Sequence, residues 1–175
     1  PELARRVEEL IGVAGLPVRV DAERGFDHGV FVPLLLMYPE AEIPVIQVSL
    51  RSSLDADAHL QLGRALSSLR DEGVLIVGSG MSYHNLREFF GSQDAAQISS
   101  DAFDRWLTDV VAETGDARDA KLRRWSDAPY ARRAHPREDH LIPLLVAVGA
   151  AESEPGIRIF SDRVMGATVS AYRFG

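Results

Sequence analysis

Cysteine is absent from the 175 residues. That removes disulfides, thiolate metal ligands and cysteine nucleophiles together. Long apolar runs are missing too, since none approaches the ~20 residues a helix needs to cross a bilayer. No secretory signal is legible at the start. Positive charge is the scarcer sign: 19 Lys and Arg against 26 Asp and Glu leave a net charge of −7. A general nucleic-acid binder needs basic surface to displace phosphate counterions, so nucleic acid is excluded as a partner, and so is a membrane. A cytoplasmic location is the expectation. The arginines that do cluster, Arg123-Arg124 and Arg132-Arg133, read as a solvated helix and loop.

What is present is ordinary for a water-soluble fold: 46% hydrophobic and 26% charged residues. The length suggests one domain over residues 1–175. Leu3, Val7, Leu10 and Ile11 recur at helical spacing within residues 2–14, and Gly15 offers a stop. Residues 16–20 and 44–50 are rich in β-branched side chains and read as strands. A short helix is expected to begin near Val32. Asp55 is placed to cap a helix running to about Arg70, with Gly73 past its end. Residues 74–77 are wholly apolar and follow that helix directly, which implies a right-handed crossover and parallel neighbours. Helices are expected from Ala102, Ala117 and Asp139, and a closing hairpin with Gly166 near its turn. The fold class predicted is α/β, with a mixed, mainly parallel central sheet flanked by helices.

Four of the five histidines lie in three segments suited to present a side chain. Asp27-His28-Gly29 precedes an apolar stretch. A glycine turn, Gly78-Ser79-Gly80, follows the apolar strand and leads to Tyr83-His84-Asn85. Ligands of open α/β sheets bind beyond the carboxyl ends of strands, and glycines there permit tight turns and leave room for a substrate. His135 and His140 flank an acidic helix start, where the helix dipole favours a neutral ring. Imidazole is the commonest neutral metal ligand and titrates near neutral pH, so these positions suggest a metal-assisted or acid–base site. Local pattern alone also allows an Asx turn at Asp27 and water-bound helix-capping rings at His135 and His140. Ser79 lacks the flanking glycines of a hydrolase nucleophile elbow. His59, inside the helix after Asp55, is assigned no role.

Asp27-His28-Gly29, the segment from Ser79-Gly80 to His84-Asn85-Leu86, and the segment from His135-Pro136 through Asp139-His140-Leu141 to Pro143-Leu144 occur in this order. Together they resemble class III extradiol ring-cleaving dioxygenases, within them the DOPA-type branch, and residues 38–50 fit the same family. The family carries two further histidine metal ligands ahead of the part present here. The chain opens on Pro1 and its first histidine is His28, so it resembles the C-terminal two-thirds of such a protein.

The resemblance implies a non-haem Fe(II) cofactor, with zinc as an alternative occupant, and a catechol-type aromatic diol and dioxygen as substrates. It implies an acid–base role for His84 and a contact from His28 to a substrate hydroxyl or dioxygen. His140 is the implied metal ligand, with His135 as its rival or as a substrate contact, and Tyr83 flanks the substrate. A homo-oligomer, or a partner supplying the missing N-terminal segment, would complete the ligand set. A non-catalytic domain of the same fold, binding an aromatic ligand or a protein, is the alternative. A zinc-dependent hydrolase stands behind it.

Overall fold

A computed structural model describes residues 2–91 and 93–175. The chain divides into two compact units, one ending at Leu50 and one spanning Arg51–Gly175. Among the described residues no helix is long and apolar enough to cross a membrane.

In the first unit, α1 (Glu2–Val13) buries Val7 and Ile11, the centre of its apolar stripe. Gly15 takes φ 72°, a left-handed conformation that ends the helix with little steric cost. The next helix, α2 (His28–Met37), starts earlier than Val32 because Asp27 caps it: its Oδ1 accepts the Gly29 N–H at 3.1 Å. Asp27 Oδ2 also accepts from Gln47 Nε2 at 2.5 Å, so Gln47 orients the cap.

The second unit begins with α3 (Ala56–Ala65), capped by Asp55, whose Oδ1 accepts from Ala58 N at 2.8 Å. A single 3₁₀ turn, Ser67–Arg70, follows it, and Gly73 sits at φ 77°. Next come α4 (Leu86–Phe89), α5 (Gln93–Val111), α6 (Gly115–Arg123), α7 (Ala131–Ala134) and α8 (Ile142–Ala150). The hairpin of β1 (Gly156–Val164) and β2 (Ala167–Phe174) closes the chain. Its turn residues Met165 and Gly166 both have positive φ, at 51° and 85°, which matches the twist of a tight hairpin. The register runs from Val164↔Ala167 to Gly156↔Phe174, with an irregularity between Arg158 and Phe160.

Helix and strand are thus mixed as expected, while a mainly parallel central sheet is not formed among the described residues. Among the described residues the only ladder is this antiparallel hairpin. Residues 16–20, 44–50 and 74–77 carry no ladder. Apolar, β-branched sequence favours extended backbone, but a strand exists only where a neighbour takes up its N–H and C=O groups.

The core of the second unit lies around α5 and α8. Phe103, Leu107, Val110 and Val111 form the buried stripe of α5, against which β2 packs through Ala167 and Val169. Tyr172 Oη meets Thr108 Oγ1 at 3.1 Å, and Arg158 pairs with Asp104 at 2.9 Å. Burial pushes the Tyr172 phenol up to about 12. The apolar helix α8 lies against α3 at glycines: a Cβ on Gly149 would meet the Leu60 carbonyl, and one on Gly63 would meet that of Val146. Buried Arg118 donates to Val148 O at 3.4 Å, to Glu154 O at 2.7 Å and to Glu152 O. It thereby ties the last turn of α8 to the loop that follows it. His59 is buried, with Nδ1 2.6 Å from Asp55 O and Nε2 accepting the Arg51 N–H at 3.1 Å. These two contacts hold the ring at the start of α3, a packing role.

Candidate active site

The site is assembled by two irregular segments laid side by side, residues 81–85 and 133–140. Four hydrogen bonds join them. Met81 N donates to His140 O at 3.0 Å and His84 N to Ala134 O at 3.0 Å. Asn85 Nδ2 donates to Arg133 O at 2.7 Å, and His135 Nε2 to Ser82 O at 3.0 Å. Asn85 Oδ1 also caps α4, accepting from Arg87 N and Glu88 N. Ser82 ties the same strip to the hairpin, its Oγ accepting the Ser170 N–H at 2.8 Å. The glycine turn is close-packed: a Cβ at Gly80 would meet the His140 carbonyl, and one at Gly78 that of Pro143. Glycine is needed there for backbone approach, and protein fills the space expected for a substrate.

This stitching lays the imidazoles of His84 and His140 face to face, with ring centroids 3.5 Å apart and planes 10° from parallel. Nitrogen lone pairs lie in the ring plane. One ion cannot lie in two parallel planes at this spacing, so at most one of the two rings ligates a given metal in this arrangement. Phe89 meets His84 edge-on at 6.4 Å. Burial lowers the His84 pKa, and the neighbouring His140 lowers it further against the opposing pull of Asp139. His140 Nδ1 lies 3.3 Å from Asp139 Oδ1. The helix expected to begin at Asp139 begins at Ile142, so His140 stands in the turn before it.

His135 is fully buried, edge-on to Phe103 and Trp125 at 5.3 and 6.1 Å. Its Nε2 faces a carbonyl, which only accepts, so Nε2 carries the proton and Nδ1, which has no hydrogen-bond partner, is bare. Burial holds its pKa down to about 4, outweighing the bond to Ser82. The ring therefore stays neutral in the fold, while the unfolded chain protonates near the ordinary 6.5. Stability from this ring is complete above pH 6.5 and is lost as pH falls towards 4, by about 3 kcal/mol in all. Denaturant midpoints measured from pH 7 to pH 4 on the parent and on His135→Gln should diverge in slope across that window. Identical slopes would refute it.

Tyr83 is likewise buried, and its hydroxyl donates to Glu88 and meets Ser99 Oγ at 2.9 Å. Burial, reinforced by the Glu88 bond, raises its pKa well above the ordinary tyrosine value. Arg133 and Ser99 also donate to Glu88. Burial alone would raise the Glu88 carboxyl, but bonds from Tyr83, Arg133 and Ser99 outweigh it and hold the group ionised. The Tyr83–Glu88–Ser99 network thus clamps α4 onto α5 behind His84.

In front of His84 is an open cavity of about 690 Å³. Leu86 and Pro136 supply apolar wall, Asn85 and Asp139 polar wall, and Arg87, Arg132, Arg133 and Arg137 a cationic rim. Neither His135 nor Tyr83 reaches this lining.

The whole of residues 1–175 matches the model of the catalytic LigB subunit of aromatic ring-opening dioxygenase. The chain belongs to the LigB family. It is 41% identical to the 4,5-DOPA dioxygenase extradiol of Beta vulgaris, over 99% of this chain and 65% of that protein. It is 38% identical to dioxygenase tasH of Hapsidospora irregularis, over 100% of this chain and 57% of that protein. The crystal structure of an uncharacterized Escherichia coli K12 protein superposes with a TM-score of 0.85 at 34% identity, over 99% of this chain and 72% of that one. The chain thus spans about three-fifths of the length of those two curated relatives.

Class III extradiol dioxygenases of this family are metal-dependent. Among the described residues no three His, Cys, Asp or Glu side chains are grouped to hold a metal. The stacked pair supplies one imidazole, which fits one place in a coordination sphere and does not fill it. His28, the remaining histidine expected at the site, is exposed at the first position of α2 in the other unit. Its neighbour Asp27 caps that helix through the Gly29 N–H and bonds Gln47. The arginine rim has no signature in the local sequence. Arg132-Arg133 stood out as a cluster, but only the fold brings Arg87 and Arg137 to the same cavity.

Proposed function

We propose that this chain carries out the acid–base part of an extradiol, aromatic ring-opening dioxygenation of a catechol-type substrate. The observation that carries this is the parallel His84–His140 stack at the cavity, because it divides two imidazoles between two roles. His140 takes the metal-ligand role, and its backbone carbonyl is pinned by Met81 N. His84, lining the cavity with a lowered pKa, is the neutral base that accepts a proton from a substrate hydroxyl and later returns it. Non-haem Fe(II), when bound, supplies the electron path between diol and dioxygen, and imidazole and oxygen ligands suit it, with zinc the alternative occupant. Net chemistry adds both atoms of dioxygen and breaks one ring bond beside the diol.

The neighbouring side chains position. Buried His135 holds the Ser82 carbonyl, and Asn85 holds the turn that presents His84. Tyr83 supports that turn from below through Glu88, in place of the substrate contact its sequence position suggested. His28 is proposed as a further substrate or dioxygen contact, on the strength of its family motif. Residues 74–77 are proposed as a strand of a mainly parallel sheet, supported by the exposure of Leu75 and Val77 at 68% and 53%.

The test is oxygen uptake by the protein at its full natural length, loaded anaerobically with Fe(II) and supplied with simple catechols. Equimolar loss of catechol and dioxygen with a ring-opened product is expected. Stoichiometric iron with no oxygen consumption on any catechol would defeat the proposal. Hydrolysis without oxygen uptake would point to zinc chemistry instead.

A further inference from the structure

We infer that Glu88 is a positioning residue: it spans the two segments that carry the stacked rings and holds His84 over His140. The inference rests on the ring-opening reading and adds to it a residue that lies outside the cavity lining.

Glu88 sits on the single turn of α4, and its side chain is only 13% exposed. Its two carboxylate oxygens face different parts of the site. Oε1 accepts from Arg133 Nε, at the head of the segment that ends on His140. Oε2 accepts from the hydroxyl of Tyr83, next to His84 in the chain, and from Ser99 Oγ at 2.9 Å. One carboxylate is therefore bonded to both halves of the site and, through Ser99, to the core helix α5. Beside it, Phe89 lies edge-on to His84 at 6.4 Å and tilted on Tyr83 at 5.8 Å. A displacement of α4 therefore reaches the His84 ring directly.

The main-chain bonds between the two segments set which residues lie opposite one another. They run through irregular backbone, which lacks the continuous ladder that fixes the offset of paired strands. Bonds to an ionised carboxylate are roughly twice as strong as neutral ones, so the Glu88 bridge is suited to supply that offset. Without it the buried Tyr83 hydroxyl loses its charged acceptor, and Arg133 no longer ties the second segment to the first. The rings overlap at 3.5 Å, a fit that a small slide of one segment undoes. A slip of about 1 Å at a reacting group can cost on the order of 10²-fold in rate.

The experiment uses the protein at full natural length and compares the parent with Glu88→Gln, which keeps the side chain's size and removes its charge. In the metal-free protein, carbon–proton correlation NMR reads the imidazole C–H signals of His84 and His140, assigned through His84→Gln and His140→Gln. Stacked rings shield one another, so the parent signals are expected upfield of free imidazole. In Glu88→Gln both are expected to move towards the free position. With Fe(II) loaded, kcat for ring opening should fall about 10- to 100-fold while KM and iron content stay near the parent values. A carboxylate that only stabilises the fold would lower Tm and leave the ring signals and kcat unchanged below the unfolding transition. Tyr83→Phe cuts the bond to the His84 segment alone and should move both readouts in the same directions. It decides the matter if Glu88→Gln does not fold.

Ring signals that stay in place overturn the inference whatever the turnover does, and so do shifted signals with parent kcat. Ser99→Ala leaves both segment bonds standing and should move neither readout. If it reproduces the loss, Glu88 acts only by clamping α4 to α5 and the inference falls. A parent that consumes no oxygen sinks the ring-opening reading alone, and the ring signals of the metal-free protein then decide the place of Glu88.

Discussion

His84→Gln is expected to lower kcat for ring opening by about 10²- to 10⁴-fold, the usual contribution of a positioned acid–base group. Iron content should remain at the parent level. Glutamine keeps the approximate size and a polar end but cannot cycle a proton near neutral pH. The backbone contacts that position residue 84, His84 N to Ala134 O and the Asn85 cap, do not depend on the imidazole. His140→Gln is the complementary variant and should lose iron first and activity with it. Oxygen-uptake rates and metal analysis on the same preparations read both. The division of roles fails if His84→Gln sheds its iron, or if His140→Gln keeps both iron and turnover. The geometry makes the test sharp, because two rings stacked at 3.5 Å are indistinguishable by proximity and differ only in what they do.

Gly149→Ala should destabilise the second unit by about 3 kcal/mol, at the upper end of the usual overpacking penalty. In a domain of this size that is a fall in Tm of about 6–12 °C. The added methyl would meet the Leu60 carbonyl and sit 3.0 Å from the Gly63 Cα. Those are backbone atoms of a neighbouring helix, so no rotamer change relieves the clash, and α3 and α8 must separate. The helix α8 is the buried centre of this unit, with Ile142, Leu145 and Val148 fully enclosed, so separation exposes apolar surface along its length. Gly12→Ala is the control. It lies in α1 with nothing within 4 Å of its added Cβ, and there the gain in helix propensity should stabilise by up to about 1 kcal/mol. Urea unfolding of both variants gives the two signs. A Gly149→Ala midpoint within error of the parent would mean that the helices are not packed backbone to backbone.

The parts of this protein legible in sequence are those set by neighbours along the chain. The apolar stripe of α1, the Asp55 cap of α3, the left-handed glycine after each and the hairpin around Gly166 all follow from energetics acting within a few residues. The order of the histidine motifs likewise gave the family, which the match over residues 1–175 bears out. Short elements were harder. The helix α4 has one turn and exists because Asn85 caps it, and α7 follows Tyr130 in a left-handed conformation, φ 57°, that no local pattern announces. Residues 74–77 look like a buried strand by composition, but a ladder is a property of two segments, and one sequence window cannot supply the second.

Sequence by itself determined which side chains were available for chemistry: no thiol, five imidazoles, and a family motif around four of them. Tertiary structure decided what the residues of the second unit do. Hydrogen bonds between residues 81–85 and 133–140 stacked His84 on His140, sent His135 inward among Phe103 and Trp125, and buried Tyr83 on Glu88. They also gathered Arg87 and Arg137 at one cavity. The physical reason is that burial, pKa and charge balance depend on what lies across a contact, and those partners are distant in the chain.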